Sequence, residues 1–135
     1  MRKMCFLLAL LLLLTTAFAT PAPDGLAVDL DLSIMPASIA YAQAVSLQQE
    51  PETYAGQMLR VSGVFNYSQL RERGVVIVMD NSGCCETSLE FTRAGAPAYS
   101  EDFPELYSRI TVVGCWQRAE ETDGAWILQD AVVEE

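Results

Sequence analysis

"QMLRVSGVFNY", residues Gln57 to Tyr67, decides the fold class. Leu59, Val61, Phe65 and Tyr67 fall on one face of an extended chain, and Arg60, Ser62 and Asn66 on the other. Period-two alternation of this kind marks a strand with one face in a core. Gly63 interrupts it, which predicts a bulge or sharp bend. Downstream the same grammar repeats. "VVIVMD" (75–80) is a short β-branched apolar run, expected as a strand packed on both faces. "DNSG" (80–83) is a turn. "TSLEFTR" (87–93) alternates with Leu89 and Phe91 inward. A connector, Ala94 to Leu106, holds Pro97, Pro104, Glu101 and Asp102. "YSRITVVGCWQ" (107–117) and "AWILQDAVV" (125–133) are two more strands around the turn "RAEETDG" (118–124). Five short, curved strands with a glycine in the first predict a small closed or partly open barrel rather than a sandwich.

Upstream, "SIAYAQAVSLQQEP" (38–51) predicts a helix over 38–50, capped by Ser38 and ended by Pro51. Its expected buried face is Tyr41, Ala44, Val45 and Gln48, widened by Ala42 and Leu47. "TPAPDGLAVDLDLSIMP" (20–36) is rich in Pro, Ala and Asp. It reads as a flexible linker, 20–37, with one short extended piece at Leu30 to Ile34.

The first nineteen residues have the form of a secretory signal peptide. Arg2 and Lys3 are followed by the apolar run Cys5–Leu14, and Ala17-Phe18-Ala19 precedes a cut before Thr20. The apolar run is shorter than the ~20 residues of a membrane-spanning helix. The expected location is therefore periplasmic or extracellular, or the cell surface if the leader is kept as an anchor, with no membrane insertion after cleavage. Cleavage leaves 116 of the 135 residues, enough for one domain with a real core. Two of the eight basic residues leave with it, so six stand against eighteen acidic ones, a balance of −12. Such a charge opposes nucleic-acid phosphates and anionic lipid, which are bound through Lys and Arg.

Three cysteines remain, Cys84, Cys85 and Cys115, and an odd count leaves at least one unpaired within the chain. Three readings stay open. Cys115 could bond Cys85 or Cys84 and staple the barrel. Cys84 and Cys85 could bond each other, although adjacent Cα atoms lie ~3.8 Å apart, below the ~4.4 Å a bridge usually needs. Such a ring is strained and reducible, which suits a thiol–disulfide redox role. Third, Cys84, Cys85 and Cys115 with Asp80 or Glu86 could hold zinc, or copper(I). Adjacent spacing is unusual for zinc, but cysteines on a turn can point the same way, whereas in a strand they point apart. If the last two strands turn around Glu121, position 115 faces 127.

The chain contains no histidine, which removes Ser-His-Asp and Cys-His catalysis. Glu101-Asp102 and Glu120-Glu121 fall in turns, where solvated charge is the expected role, and no enzyme is predicted. Trp116, Trp126, Tyr54, Tyr67 and Phe91 would make a stacking platform for single strands only beside a basic groove, and none is present. Asp102, Glu105 and Glu86 match no calcium-loop spacing.

The segment "PETYAGQMLRVSGVF" (51–65) resembles the opening of small extracytoplasmic OB-fold domains of the tRNA-anticodon-binding-like superfamily. "VVIVMDNSGCCETSLEF" (75–91) with "YSEDFPELYSRITVVGCW" (99–116) is similar to a group of uncharacterised exported bacterial OB-fold proteins with a Cys-Cys pair after the second strand. A related pair occurs in the barrel domain of permease-associated proteins, some linked to zinc homeostasis. The resemblance covers about Tyr41 to Val133. It implies a mainly β, five-stranded OB-like Greek-key barrel with an N-terminal α-helix, in a domain spanning 38–135. It also implies an exported binding module, with zinc at the Cys-Cys site and a membrane transporter or other extracytoplasmic protein as partner. The alternatives are a disulfide-stabilised interaction module without metal, and a redox factor. In the relatives a third cysteine, where present, tends to sit on the last strand, whereas Cys115 falls on the fourth.

Overall fold

The structure, a computed structural model, describes residues 26–95, 99, 101–120 and 124–134. The expected signal peptide, the start of the expected linker (20–25), connector residues 96–98 and 100, and the tip of the last hairpin (121–123) lie outside these residues. The described chain is mainly β: one six-stranded mixed sheet and one helix. In chain order come β1 (Leu30–Asp31), α1 (Ala37–Gln49), a 3-10 turn (Pro51–Tyr54), β2 (Met58–Ser68), β3 (Arg73–Met79), β4 (Glu86–Arg93), β5 (Arg109–Arg118) and β6 (Trp126–Glu134). The strand order is β1-β2-β3-β4-β6-β5, and β2 also pairs with β5, so the five longer strands form a barrel-like ring.

The expected count of five strands is corrected to six. The sixth strand lies in the short extended piece expected at Leu30 to Ile34 of the linker: Leu30 and Asp31 pair in parallel with Leu59 and Arg60, and Leu32 is buried. The Leu32 amide donates to the Arg60 carbonyl, and Arg60 ion-pairs with Asp31 and Glu134. An apolar residue that reaches the core orders the polar residues around it.

β2 behaves as its alternation dictates, with Leu59, Val61, Gly63 and Phe65 buried. Its first half pairs with β5, from Met58↔Cys115 to Val64↔Arg109, and its second half with β3, from Val64↔Ile77 to Ser68↔Arg73. Gly63 was expected to mark a bulge or bend, but the β2–β5 register runs through it without a shift. Its role is close approach: a Cβ there would lie 2.3 Å from the Ile77 carbonyl oxygen and 2.8 Å from Val76 Cγ2. The bulge lies elsewhere, between Val113 and Cys115 against β6, where Asp130 takes a φ of 50°. The expected 115–127 facing is accordingly corrected to Cys115↔Gln129.

β3 is not packed equally on both faces. Val76 and Val78 are buried, while Val75 and Ile77 are half-buried. The helix is also rotated from its expected face. Ala40, Ala44 and Leu47 are the buried residues, one stripe at i, i+4, i+7. Small alanines let the helix approach β3 and β4 closely, and Gln48 is left at the surface to serve β4. There its side-chain amide donates to the Ser88 carbonyl and accepts from Thr87 Oγ1. Ser38 caps nothing; Pro36 holds the N-cap position, and its carbonyl accepts the amides of Ile39 and Ala40.

Two clusters fix the connections. Trp116 exchanges backbone hydrogen bonds with Gly56 and Gln57, and its indole N–H donates to the Pro51 carbonyl at 3.1 Å. Phe103 of the connector packs on Phe65, Phe91 and Tyr67, with the Arg93 guanidinium 5.7 Å above its ring. Of the five aromatics weighed as a stacking platform, Trp116 and Phe91 are thus core residues, and Tyr54, Tyr67 and Trp126 are half-buried against it. Arg73, 2% exposed, is held by Glu90 at 3.0 Å.

Replacing Gly63 with alanine forces the β2 and β3 backbones apart at the point of closure. The expected cost is at the upper end of the ~1–3 kcal/mol typical of overpacking, read as a fall in the urea midpoint. A Gly63→Ala protein with unchanged stability would contradict this account of the ring.

Candidate metal centre

The β3–β4 ladder ends at Met79↔Glu86, and the six residues between them form the connecting loop. Two backbone hydrogen bonds shape that loop. The Asp80 amide donates to the Cys85 carbonyl at 3.0 Å, and the Gly83 amide to the Asp80 carbonyl at 3.2 Å. Gly83 has a φ of 69°, a conformation that a side chain disfavours, so "DNSG" turns where its composition says it will. Cys84 and Cys85 follow immediately, before strand geometry resumes, and their side chains are therefore not obliged to alternate.

Both thiols point to the same side. Their sulfurs are 3.3 Å apart, and Cys84 Sγ is 3.7 Å from Asp80 Oδ2. The Asp80 carboxylate and the two thiols all lie within 4.8 Å of one another. Ser82, which the sequence reading missed, organises them. Its hydroxyl lies 2.8 and 3.0 Å from the two Asp80 oxygens and 3.0 Å from Cys84 Sγ, and the Cys84 amide donates back to it at 3.4 Å. The signal was present in the sequence: a serine two residues after an aspartate in a turn is the usual source of such local bonds.

The electrostatics follow from these contacts. The hydrogen bond from Ser82 is the largest influence on Asp80. With the backbone amides of Cys85 and Gly83 it outweighs desolvation and holds the carboxyl below its usual range, so it stays ionised. The Cys85 thiol is pushed up, first by its hydrogen bond with Cys84, then by the charge of Cys84, by desolvation and by Asp80. The first proton lost from the pair therefore hinders loss of the second, and a cation binding between the sulfurs would remove that conflict.

Of the residues expected to bind metal, the structure brings together Asp80, Cys84 and Cys85. Among the described residues, Glu86 and Cys115 are not part of that group. Glu86 begins β4 with an exposed side chain. Cys115 sits on β5 between Met58 and Gln129, half-buried, with Gln117 Oε1 4.0 Å from its sulfur. The described cysteines, Cys84, Cys85 and Cys115, are free in the structure, and Cys115 sits on β5, away from the loop that carries the other two. A tetrahedral zinc ion with ~2.3 Å bonds to sulfur separates two thiolates by about 3.8 Å. The pair is narrower than this, so zinc requires it to open, a rotation that the exposed Cys84 and Cys85 allow only by leaving the observed geometry. The donor set of two sulfurs and one oxygen fits zinc with a fourth position left open.

No helix among the described residues is long and apolar enough to cross a membrane. No protein-family model and no curated protein matches the chain. Among solved structures it is similar to a crystal structure from Klebsiella pneumoniae subsp. pneumoniae described as a "putative nucleic acid-binding lipoprotein". The identity is 20%, the match covers 76% of this chain and 93% of that one, and the TM-score is 0.48.

The paired thiols make a prediction for alkylation. The rate at Cys85, followed by iodoacetamide labelling and peptide mass spectrometry, should rise only above the ordinary ~8.5 of a free thiol. In the Cys84→Ser variant its midpoint should shift down, because Cys84 is the largest source of the upward push. An unchanged Cys85 profile in that variant would show the sulfurs to be independent.

Proposed function

We propose that the chain is an exported binding module that takes up a thiophilic divalent ion, zinc first, through Cys84, Cys85 and Asp80. The single observation behind this reading is the convergence of two thiols and an ionised carboxylate on an exposed hairpin end. Structural zinc sites close with four protein donors, whereas three donors and an open position suit an ion that is received and passed on. An extracytoplasmic partner such as a membrane transporter would then supply or take the ion at that position. Export is supported by the leader-like first nineteen residues.

The ring of five longer strands, with its parallel β4–β6 pair and α1 packed on β3 and β4, supports the OB-like Greek-key reading, with β1 as an addition. Nucleic acid is the partner named for the Klebsiella protein. A mature balance of −12 argues against a phosphate backbone as partner here.

Protein purified without chelator should carry about one zinc per chain by elemental analysis. Cys84→Ser and Cys85→Ser should each lose it, and Cys115→Ser should keep it, because Cys115 lies outside the group. Equal metal in wild type and in Cys84→Ser would remove the proposal. Loss of metal in Cys115→Ser would restore the three-cysteine site expected from sequence.

A further inference from the structure

The separation of the two sulfurs carries information about which ions suit them. With bonds of ~2.3 Å to sulfur, donors 3.3 Å apart subtend about 92° at the bound centre. That is well short of the tetrahedral angle. A centre whose own bond angles lie near a right angle needs no opening of the pair. Trivalent arsenic and antimony are such centres: a lone pair occupies one side, three bonds form a shallow pyramid, and their bonds to sulfur are of similar length. The covalent alternative is hindered at this site, since adjacent Cα atoms ~3.8 Å apart lie below the usual span of a disulfide. The two thiols are free and exposed, and a single larger atom can bridge them where a direct bond is strained.

We infer that Cys84 and Cys85 form a chelate for trivalent arsenic or antimony, and that they hold such a centre more tightly than zinc. The inference rests on the thiophilic-ion reading above and names the class of ion the site prefers. The step is an exchange without oxidation. Arsenous acid, As(OH)3, gives up two hydroxides and gains bonds to both sulfurs. The two thiol protons leave with those hydroxides as two waters, and arsenic keeps its third oxygen. The incoming species is neutral, so it requires no carboxylate, whereas zinc uses Asp80 as its third donor. The two ions are therefore separable by one substitution.

The test uses reduced, metal-free protein with sodium arsenite and zinc chloride as probes. Intact mass and arsenic content should show one arsenic per chain and the loss of two titratable thiols. Equimolar arsenite should displace bound zinc. Cys84→Ser and Cys85→Ser should each abolish the adduct. Asp80→Asn should hold arsenite as the wild type does while losing at least the ~10-fold in zinc affinity that even an outer partner of a ligand can cost. Circular dichroism of the variants shows whether each is folded. If zinc binds and arsenite neither binds nor displaces it, the preference for trivalent centres is wrong and the metal-binding reading stands. If neither ion binds to folded wild-type protein, both fall.

Discussion

Closure of the ring depends on one strand serving two partners. β2 spans eleven residues and gives its first half to β5 and its second half to β3, with Val64 alone paired to both. The changeover places the Ile77 carbonyl oxygen 2.3 Å from where a Cβ of residue 63 would be. Only glycine permits that approach without moving backbone, so the ring closes at a point that one missing side chain defines. β1 adds to β2 in parallel, and Arg60 draws Asp31 and Glu134 together across the same strand. Strands β2 and β5 in turn hold Trp116, whose backbone and indole bonds anchor the 3-10 turn that follows the helix.

The candidate centre inherits its position from this frame. β3 and β4 are fixed by a continuous six-pair ladder, and their shared end is where the loop begins. The aromatic cluster packs near Gly74↔Phe91, at the far end of that ladder, so the core's demands do not reach the cysteines. A loop held at both feet and free at its tip can present two thiols to solvent without burying them. The packed aromatic core and the exposed thiols therefore sit at opposite ends of one hairpin.

How far the sequence carried depended on the range of the interaction. Strands whose inward residues are set by their own alternation, as at Leu59, Val61 and Phe65 or at Leu89 and Phe91, were legible because period two is local. The turn at Asp80–Gly83 was legible for the same reason. The helix was found but its face was misread, since the choice between Gln48 and Leu47 turned on what β4 needed, namely a partner for Thr87 and the Ser88 carbonyl. The extended piece at Leu30–Asp31 was legible, but its place in the sheet depends on Leu32 reaching the core, which a composition rich in Asp and Pro conceals. A bulge or bend was expected at Gly63, but the bulge falls at Gly114 on β5 opposite Asp130 on β6, where the register shift depends on pairing between two strands.

By itself the sequence determined the mainly β class, the turn that frees Cys84 and Cys85 from alternation, and the acidic surface, each a property of neighbouring residues. The tertiary structure decided which donors meet. Asp80 joins the pair because it sits four and five residues away from the two cysteines across a closed loop, with Ser82 between them. Cys115 stays apart because β5 runs between β2 and β6 rather than beside the hairpin end. That outcome is set by strand order, and strand order is fixed by long-range pairing that no local spacing encodes.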